Sequence, residues 1–327
     1  MNLENVISKT KKNLRKLAYA GLVVAVLAGG GEGEAKAEPI FENIPVCTEP
    51  GDQMCPAIWG DYIVWQGAVN EAYKISERKI VDMPGLVIPE LYTKQCMWNN
   101  HVVWDNSVGY YDLNLKQMVH PPGLSIGYAP AIHNNKLVWS GTTGYYDLDS
   151  QQMINLPGLS IGDYPAIFGD RIAWKDSGGY YDITSEKMIF PPGLSVGIAP
   201  SIWEDKIAWW NSGGYYDLSQ EKMISSTDLK YMRDPIIYDE NIVYWKKQDG
   251  PTLFVWDIIN NERVVSSYGV VGENIDIWEN TIAWSDRRNG NWDIYMATIP
   301  EPTTLSLLGL GTLALLSRRN KIQNGFR

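Results

Sequence analysis

PAIFGDRIAWKDSGGYYDITSEKMIFPPGL, residues 165–194, contains the pattern from which the fold follows. Short apolar or aromatic runs are cut by Gly169-Asp170, by Asp176-Ser177-Gly178-Gly179 and by Thr184-Ser185-Glu186, and each cut is a turn signal between strands. Four strands are predicted near Ala166–Phe168, Arg171–Trp174, Gly179–Ile183 and Lys187–Phe190, after which Pro191-Pro192-Gly193-Leu194 leads the chain onward. No run keeps the 3.6-residue period of an amphipathic helix.

The same unit recurs along the chain. PAIWGDYIVW begins at Pro56, PAIHNNKLVW at Pro130 and PSIWEDKIAW at Pro200, and looser copies are QCMWNNHVVW from Gln95, PIIYDENIVY from Pro235 and IDIWENTIAW from Ile275. Seven units therefore begin near 56, 95, 130, 165, 200, 235 and 275, and a fixed period of about 35 residues marks stacked supersecondary units. One small four-stranded sheet cannot bury both of its faces. Sheets set radially bury each face against the next and leave only short, protected edges. The predicted fold is all-β, a seven-bladed β-propeller of four-stranded blades over residues 38–298, with short helical targeting segments at either terminus.

The chain ends supply an independent check. The seventh unit runs out after three strands, at NWDIYMATIPEP, residues 291–302, while FENIPVCTEPGDQMCP, residues 41–56, stands where a fourth strand would precede the first unit. The segment near Phe41–Cys47 is thus expected to complete the last blade and close the ring. With WSDRRNGNWDIYMA, residues 284–297, the repeats of Pro56–Ala297 resemble TolB-like propellers. That resemblance implies a scaffold or binding module and, less often, a polysaccharide lyase or a peptidase gatekeeper.

The termini speak about location. Residues 1–37 join a basic region (Lys9, Lys11, Lys12, Arg15, Lys16), the apolar run Leu17–Ala28 and Ala35-Lys36-Ala37, the three parts of a secretory signal peptide cleaved after an A-x-A site formed by Ala35 and Ala37. The run is short for a membrane span. In residues 299–327, Pro300-Glu301-Pro302 precedes an apolar stretch, Leu305–Leu316, and then Arg318-Arg319. This order resembles the PEP-CTERM sorting signal of Gram-negative bacteria. The resemblance implies a precursor held transiently in the inner membrane until an exosortase-type enzyme removes the tail, leaving the mature form at the cell surface or outside the cell. Physically, the apolar stretch anchors, the arginines stay cytoplasmic, and the Pro-Glu-Pro segment continues neither helix nor ladder. Residues 322–327 extend beyond the basic cluster.

Charge and cysteine content narrow the partners. The chain carries a net charge of −10, but residues 38–302 hold 18 basic against 35 acidic side chains, a net of −17, so neither nucleic acid nor an anionic membrane surface is expected as a partner. Cys47, Cys55 and Cys96 lie in the first third. In an exported protein one reading pairs Cys47 with Cys55 in a disulfide that staples the closing strand, and the other leaves three buried small apolar residues.

Catalytic signals are few. Tyr-Tyr-Asp recurs at Tyr110–Asp112, Tyr145–Asp147, Tyr180–Asp182 and Tyr215–Asp217, and a residue repeated at one place in every blade is read as structural: aromatics packing between blades, carboxylates bonding turn amides. His101, His120 and His133 fall in a turn, a fourth strand and a first strand, which argues against a shared metal or catalytic site, and no zinc spacing, phosphate loop or nucleophile elbow occurs. No cofactor is expected. The favoured function is a non-enzymatic surface or matrix module binding an exopolysaccharide or another exported protein. The alternative is a carbohydrate-active propeller enzyme such as a lyase, which would need irregular loops; the irregular places are Gln66–Lys79, the connector Val87–Gln95 and the passage from the sixth to the seventh unit.

Overall fold

The computed structural model describes residues 43–89, 96–246, 252–259, 262–267 and 272–299. They form seven antiparallel four-stranded sheets, and in six of them the strands lie in chain order from the innermost outward. In blade 4 the strands are Ala166–Phe168, Arg171–Ala173, Tyr180–Asp182 and Lys187–Ile189, within a residue or two of the sequence reading. Among the described residues there is no helix. The predicted signal peptide with Ala35 and Ala37, and the tail with Pro300, Glu301, Pro302, Arg318 and Arg319, lie outside the described residues.

The seventh sheet breaks chain order, and that break closes the ring. Ile44–Cys47 lies against Asp293–Thr298, outside Thr281–Asp286 and Gly272–Trp278, so the first strand of the domain is the outermost strand of the last blade. Its register pairs Ile44 with Met296 and Pro45 with Tyr295, with a bulge before Cys47 meets Ile294. Pro45 fits there because an edge strand asks fewer donors of its backbone. The following segment reinforces the closure: Asn291 Nδ2 donates to the carbonyls of Glu49 (3.3 Å) and Gly51 (3.0 Å), Trp292 N to Asp52 Oδ1 (3.0 Å), and Gln53 N to Trp292 O (2.8 Å).

The sequence reading of Cys47 with Cys55 as a disulfide is corrected by the structure, in which neither residue is bridged. Cys47 is buried in the closing strand of blade 7, and its burial pushes the thiol pKa up. Cys55 stands on the innermost strand of blade 1, at a bulge with left-handed backbone (φ 48°), and that conformation sets where its side chain leaves the chain. The same left-handed step recurs at the equivalent place in the repeat, just before the inner strand at Ala129, Tyr164 and Ala199 and within it at Asp234 and Asn274, so it belongs to the repeat and not to a cysteine pair.

Antiparallel order fixes two distinct faces. The hairpin turns after the first and third strands of each blade lie on one face, here the turn face. The loops after the second strand and the connectors between blades lie on the other, the connector face. Tight turns on the turn face demand positive φ, met by Gly169 (58°) in blade 4 but by Glu204 (50°) in blade 5. A left-handed L-residue costs about 1–2 kcal/mol, and glycine's extra chain entropy about 0.5–1 kcal/mol.

Two outcomes are expected in denaturant unfolding of the full chain. Asn291→Ala, which removes the ties to residues 49–51, should lower stability by about 1–2 kcal/mol. Glu204→Gly should raise it by about 0.5–1 kcal/mol; a loss would show that the Glu204 side chain contributes something the backbone account omits.

Candidate functional site

The last residue of each innermost strand points to the same place. These residues are Trp59, Trp98, His133, Phe168, Trp203, Tyr238 and Trp278, one from each blade, at the turn-face mouth of the channel. Each ring touches the next all the way round: Trp59–Trp98 4.0 Å between centroids, Trp98–His133 3.9, His133–Phe168 4.3, Phe168–Trp203 4.6, Trp203–Tyr238 4.2, Tyr238–Trp278 5.3 and Trp278–Trp59 3.4 Å. Most are tilted, the offset geometry that aromatic quadrupoles favour. The collar was hidden in the repeat pattern as the variable fourth letter of PAIW, QCMW, PAIH, PAIF, PSIW, PIIY and IDIW. Its signal was available: every copy carries a ring there, though no two neighbours need match.

His133 is the polar member. Gly169 N of the next blade donates to its Nδ1 at 3.0 Å, which leaves the proton on Nε2, and Nε2 is buried with no protein partner. Burial first, and Lys136 second, push the imidazole down to about 3, so it is neutral at physiological pH. Burial likewise holds the Tyr238 phenol up to about 12. His101 begins the second strand of blade 2 and is not in a turn, with Nε2 3.7 Å from Asp112 Oδ2, and His120 follows the fourth strand of that blade. The structure leaves the three histidines in separate environments, and among the described residues no group of three His, Cys, Asp or Glu is placed to hold a metal ion.

Beneath the collar, two polar side chains that stand where three of the repeats have alanine, Asp276 and Ser201, staple blades together. Asp276 Oδ2 accepts from Ile58 N (2.9 Å) across the junction of blades 7 and 1, and Ser201 Oγ from Ile237 N (3.0 Å) across blades 5 and 6. Asp276 is 7% exposed and its Oδ1 also accepts from Ile277 N at 2.9 Å. A partly open cavity of about 40 Å³ lies on the channel axis, lined by five collar rings besides Tyr238, and by Asp276, Met97 and isoleucines of the inner strands, with Phe168 outside it.

The Tyr-Tyr-Asp triplets are structural. The second tyrosine is buried and its hydroxyl donates back to the preceding blade, Tyr111 to Pro84 O in the fourth strand (3.1 Å) and the others to the connector, Tyr146 to Pro122 O (2.8), Tyr181 to Pro157 O (2.9) and Tyr216 to Pro192 O (2.8 Å). The aspartate caps its own turn, as Asp182 Oδ1 does for Ser185 N at 2.7 Å. Connectors are seated by tryptophans: a Cβ on Gly162 would lie 2.6 Å from Trp174 Cδ1, and Gly127 and Gly197 meet Trp139 and Trp209 in the same way.

The connector face is the apolar one. Of nine large hydrophobic residues exposed among those described, Val69, Val87, Val108, Tyr128, Phe190, Ile198 and Tyr231 belong to it, and only Ile80 and Leu115 to the turn face. Tyr128 and Tyr164 meet there edge to face, with hydroxyls 3.1 Å apart, and Arg233 lies over the Trp210 ring at 5.3 Å. These residues differ from blade to blade, which is why periodicity could not single them out.

Comparison with known proteins supports the fold and the tail. The computationally designed Ika8 protein superposes with a TM-score of 0.53 at 13% identity, covering 78% of this chain and all of that one, a likeness of fold alone. BamB from Moraxella catarrhalis is 11% identical over 75% of this chain and 69% of its own, with a TM-score of 0.33. The TolB-like likeness of the repeats is only a loose one. No curated protein sequence matches the chain. Residues 298–321 match the PEP-CTERM protein-sorting motif, the span expected from Pro300-Glu301-Pro302 and Arg318-Arg319, leaving residues 322–327 outside the match.

Gly162→Ala should cost about 1–3 kcal/mol, because the new methyl displaces Trp174. Tyr181→Phe should cost about 1 kcal/mol. Both are read by thermal unfolding, and indifference to Gly162→Ala would remove the seating role of the tryptophans. A seven-bladed propeller followed by a PEP-CTERM motif identifies the chain as an exported protein sorted through its C-terminus by exosortase.

Proposed function

We propose that the mature protein is a non-enzymatic binding module of the cell surface or extracellular matrix, engaging an exopolysaccharide or another exported protein through its connector face. The observation that carries this reading is the distribution of exposed apolar side chains, seven on the connector face against two on the turn face. Large exposed apolar patches on soluble proteins mark interaction sites, and the connector face holds most of the exposed apolar side chains among the described residues. Tyrosine, tryptophan and arginine at Tyr128, Tyr231, Trp210 and Arg233 are the residue types on which recognition surfaces concentrate their binding energy. In this reading residues 1–37 direct export, residues 299–327 hold the precursor in the inner membrane until sorting, and the propeller is the part that persists.

The test uses the native host. A variant with Ile198→Ser, Tyr231→Ser and Phe190→Ser should fold normally yet fall at least tenfold in the surface-associated fraction, since interface anchors contribute about 1–2 kcal/mol each. Leu115→Ser on the turn face should leave retention unchanged. Equal retention of all forms would overturn the connector-face reading. Intact-mass measurement of the same preparations should show the loss of the segment after the Pro-Glu-Pro motif, and an intact tail on the mature protein would remove the sorting step from the proposal.

A further inference from the structure

We propose that the aromatic collar at the turn-face mouth is a binding site for a small uncharged molecule with an apolar body and one carbonyl oxygen, which accepts a hydrogen bond from Nε2–H of His133. Two observations carry this: a largely apolar cavity on the channel axis, and an unpartnered donor on a side chain that lines it. Trp59, Trp98, Trp203 and Trp278 stand around the axis, and Met97 and His133 belong to the same wall.

His133 departs from its counterparts. The same place in the other blades is held by tryptophan, phenylalanine or tyrosine, so the collar requires a ring there and not an imidazole. Gly169 N donates to Nδ1 at 3.0 Å, which accounts for one ring nitrogen and leaves the proton on the other. That other nitrogen, Nε2, points away from Gly169 in a residue only 5% exposed, and no protein group accepts from it. An N–H buried without an acceptor is costly, and an acceptor brought in by a guest removes that cost. The imidazole is neutral, pushed down to about 3 by burial first and Lys136 second, so Nε2–H is a donor with no charge to neutralise.

The rest of the wall narrows the class of guest. Aromatic and aliphatic side chains offer hydrophobic contact, which suits an apolar body. Asp276, another polar residue of the wall, already accepts from Ile58 N and Ile277 N, and nothing in the site depends on its charge. A carbonyl oxygen accepts without donating, so it brings no O–H or N–H that would itself need a partner in the cavity. An anionic guest would find no lysine or arginine on the wall to pair with. A cavity of about 40 Å³ is about three to four times the roughly 10–15 Å³ that one water needs, which at about 30 Å³ of liquid per water corresponds to a guest of roughly 90–120 Å³, about four to six heavy atoms.

Calorimetric titration of the full chain with cyclopentanone, and with methylenecyclopentane, in which a CH₂ group replaces the oxygen, tests the proposal. Saturable binding of cyclopentanone is expected. His133→Phe keeps a ring in the collar, as blade 4 does with Phe168, but removes the donor. It should weaken cyclopentanone binding about tenfold while leaving the hydrocarbon within about twofold. In the imidazole NMR spectrum of the unaltered chain, the His133 Nε2 signal should move with cyclopentanone and hold its place with the hydrocarbon. No saturation by cyclopentanone would overturn the site, since water then serves the donor. Undiminished cyclopentanone binding by folded His133→Phe protein, or an equal loss of both guests, would overturn it too, since His133 is then no more than a piece of wall. Should His133→Phe fail to fold, the Nε2 signal of the unaltered chain decides alone. None of these outcomes depends on the connector face, so the site and the proposed function stand or fall separately.

Discussion

Burial of each sheet against the next is the constraint on which the molecule depends. A sheet of four short strands has two faces and almost no interior of its own, so the blades are stable only as a closed circuit. Side chains between blades accordingly make the structure's characteristic contacts. The second tyrosine of each triplet spans to the previous blade or its connector, isoleucines of the inner strands fill the junctions, and Asp276 and Ser201 accept amides of the next blade.

Closure follows from the same need. A ring with one gap would leave the outer edge of blade 7 unpaired and the junction with blade 1 loose. The strand Ile44–Cys47 covers that edge, and the segment after it is gripped by Asn291 and Trp292, both in the loop following the second strand of blade 7. That loop also carries a buried carboxylate pair: Asp286 receives the Arg288 guanidinium, while Asp293 receives the amides of Asn289 and Asn291. The irregular sequence WSDRRNGNWD thus reads as the clasp of the ring, which explains why it differs from the corresponding loops of blades 3 to 5.

A rigid circuit frees its two ends for different work. On the turn face the rings converge, one side chain per blade, and touch one another around a partly open cavity. On the connector face, chain segments of different length and composition run over the surface, and their side chains are not needed to hold the blades. Residues there can vary without loss of fold, and those are the positions at which Tyr128, Ile198 and Tyr231 stand exposed.

The sequence by itself determined the blade count, the strand limits, the closing strand and the sorting tail, because each is encoded locally: turn residues, alternation, a fixed repeat length and a short linear motif. It also placed the triplet tyrosines and aspartates in structural roles, on the ground that a repeated residue answers a repeated need. It did not disclose the collar, the stapling role of Asp276 or the state of Cys47 and Cys55. The collar and the Asp276 staple depend on which residues 35 to 220 positions apart are brought together around one axis, which no local pattern states. Which face exposes apolar surface was likewise decided only in three dimensions, since exposure is a property of what neighbouring blades cover and not of the residue itself.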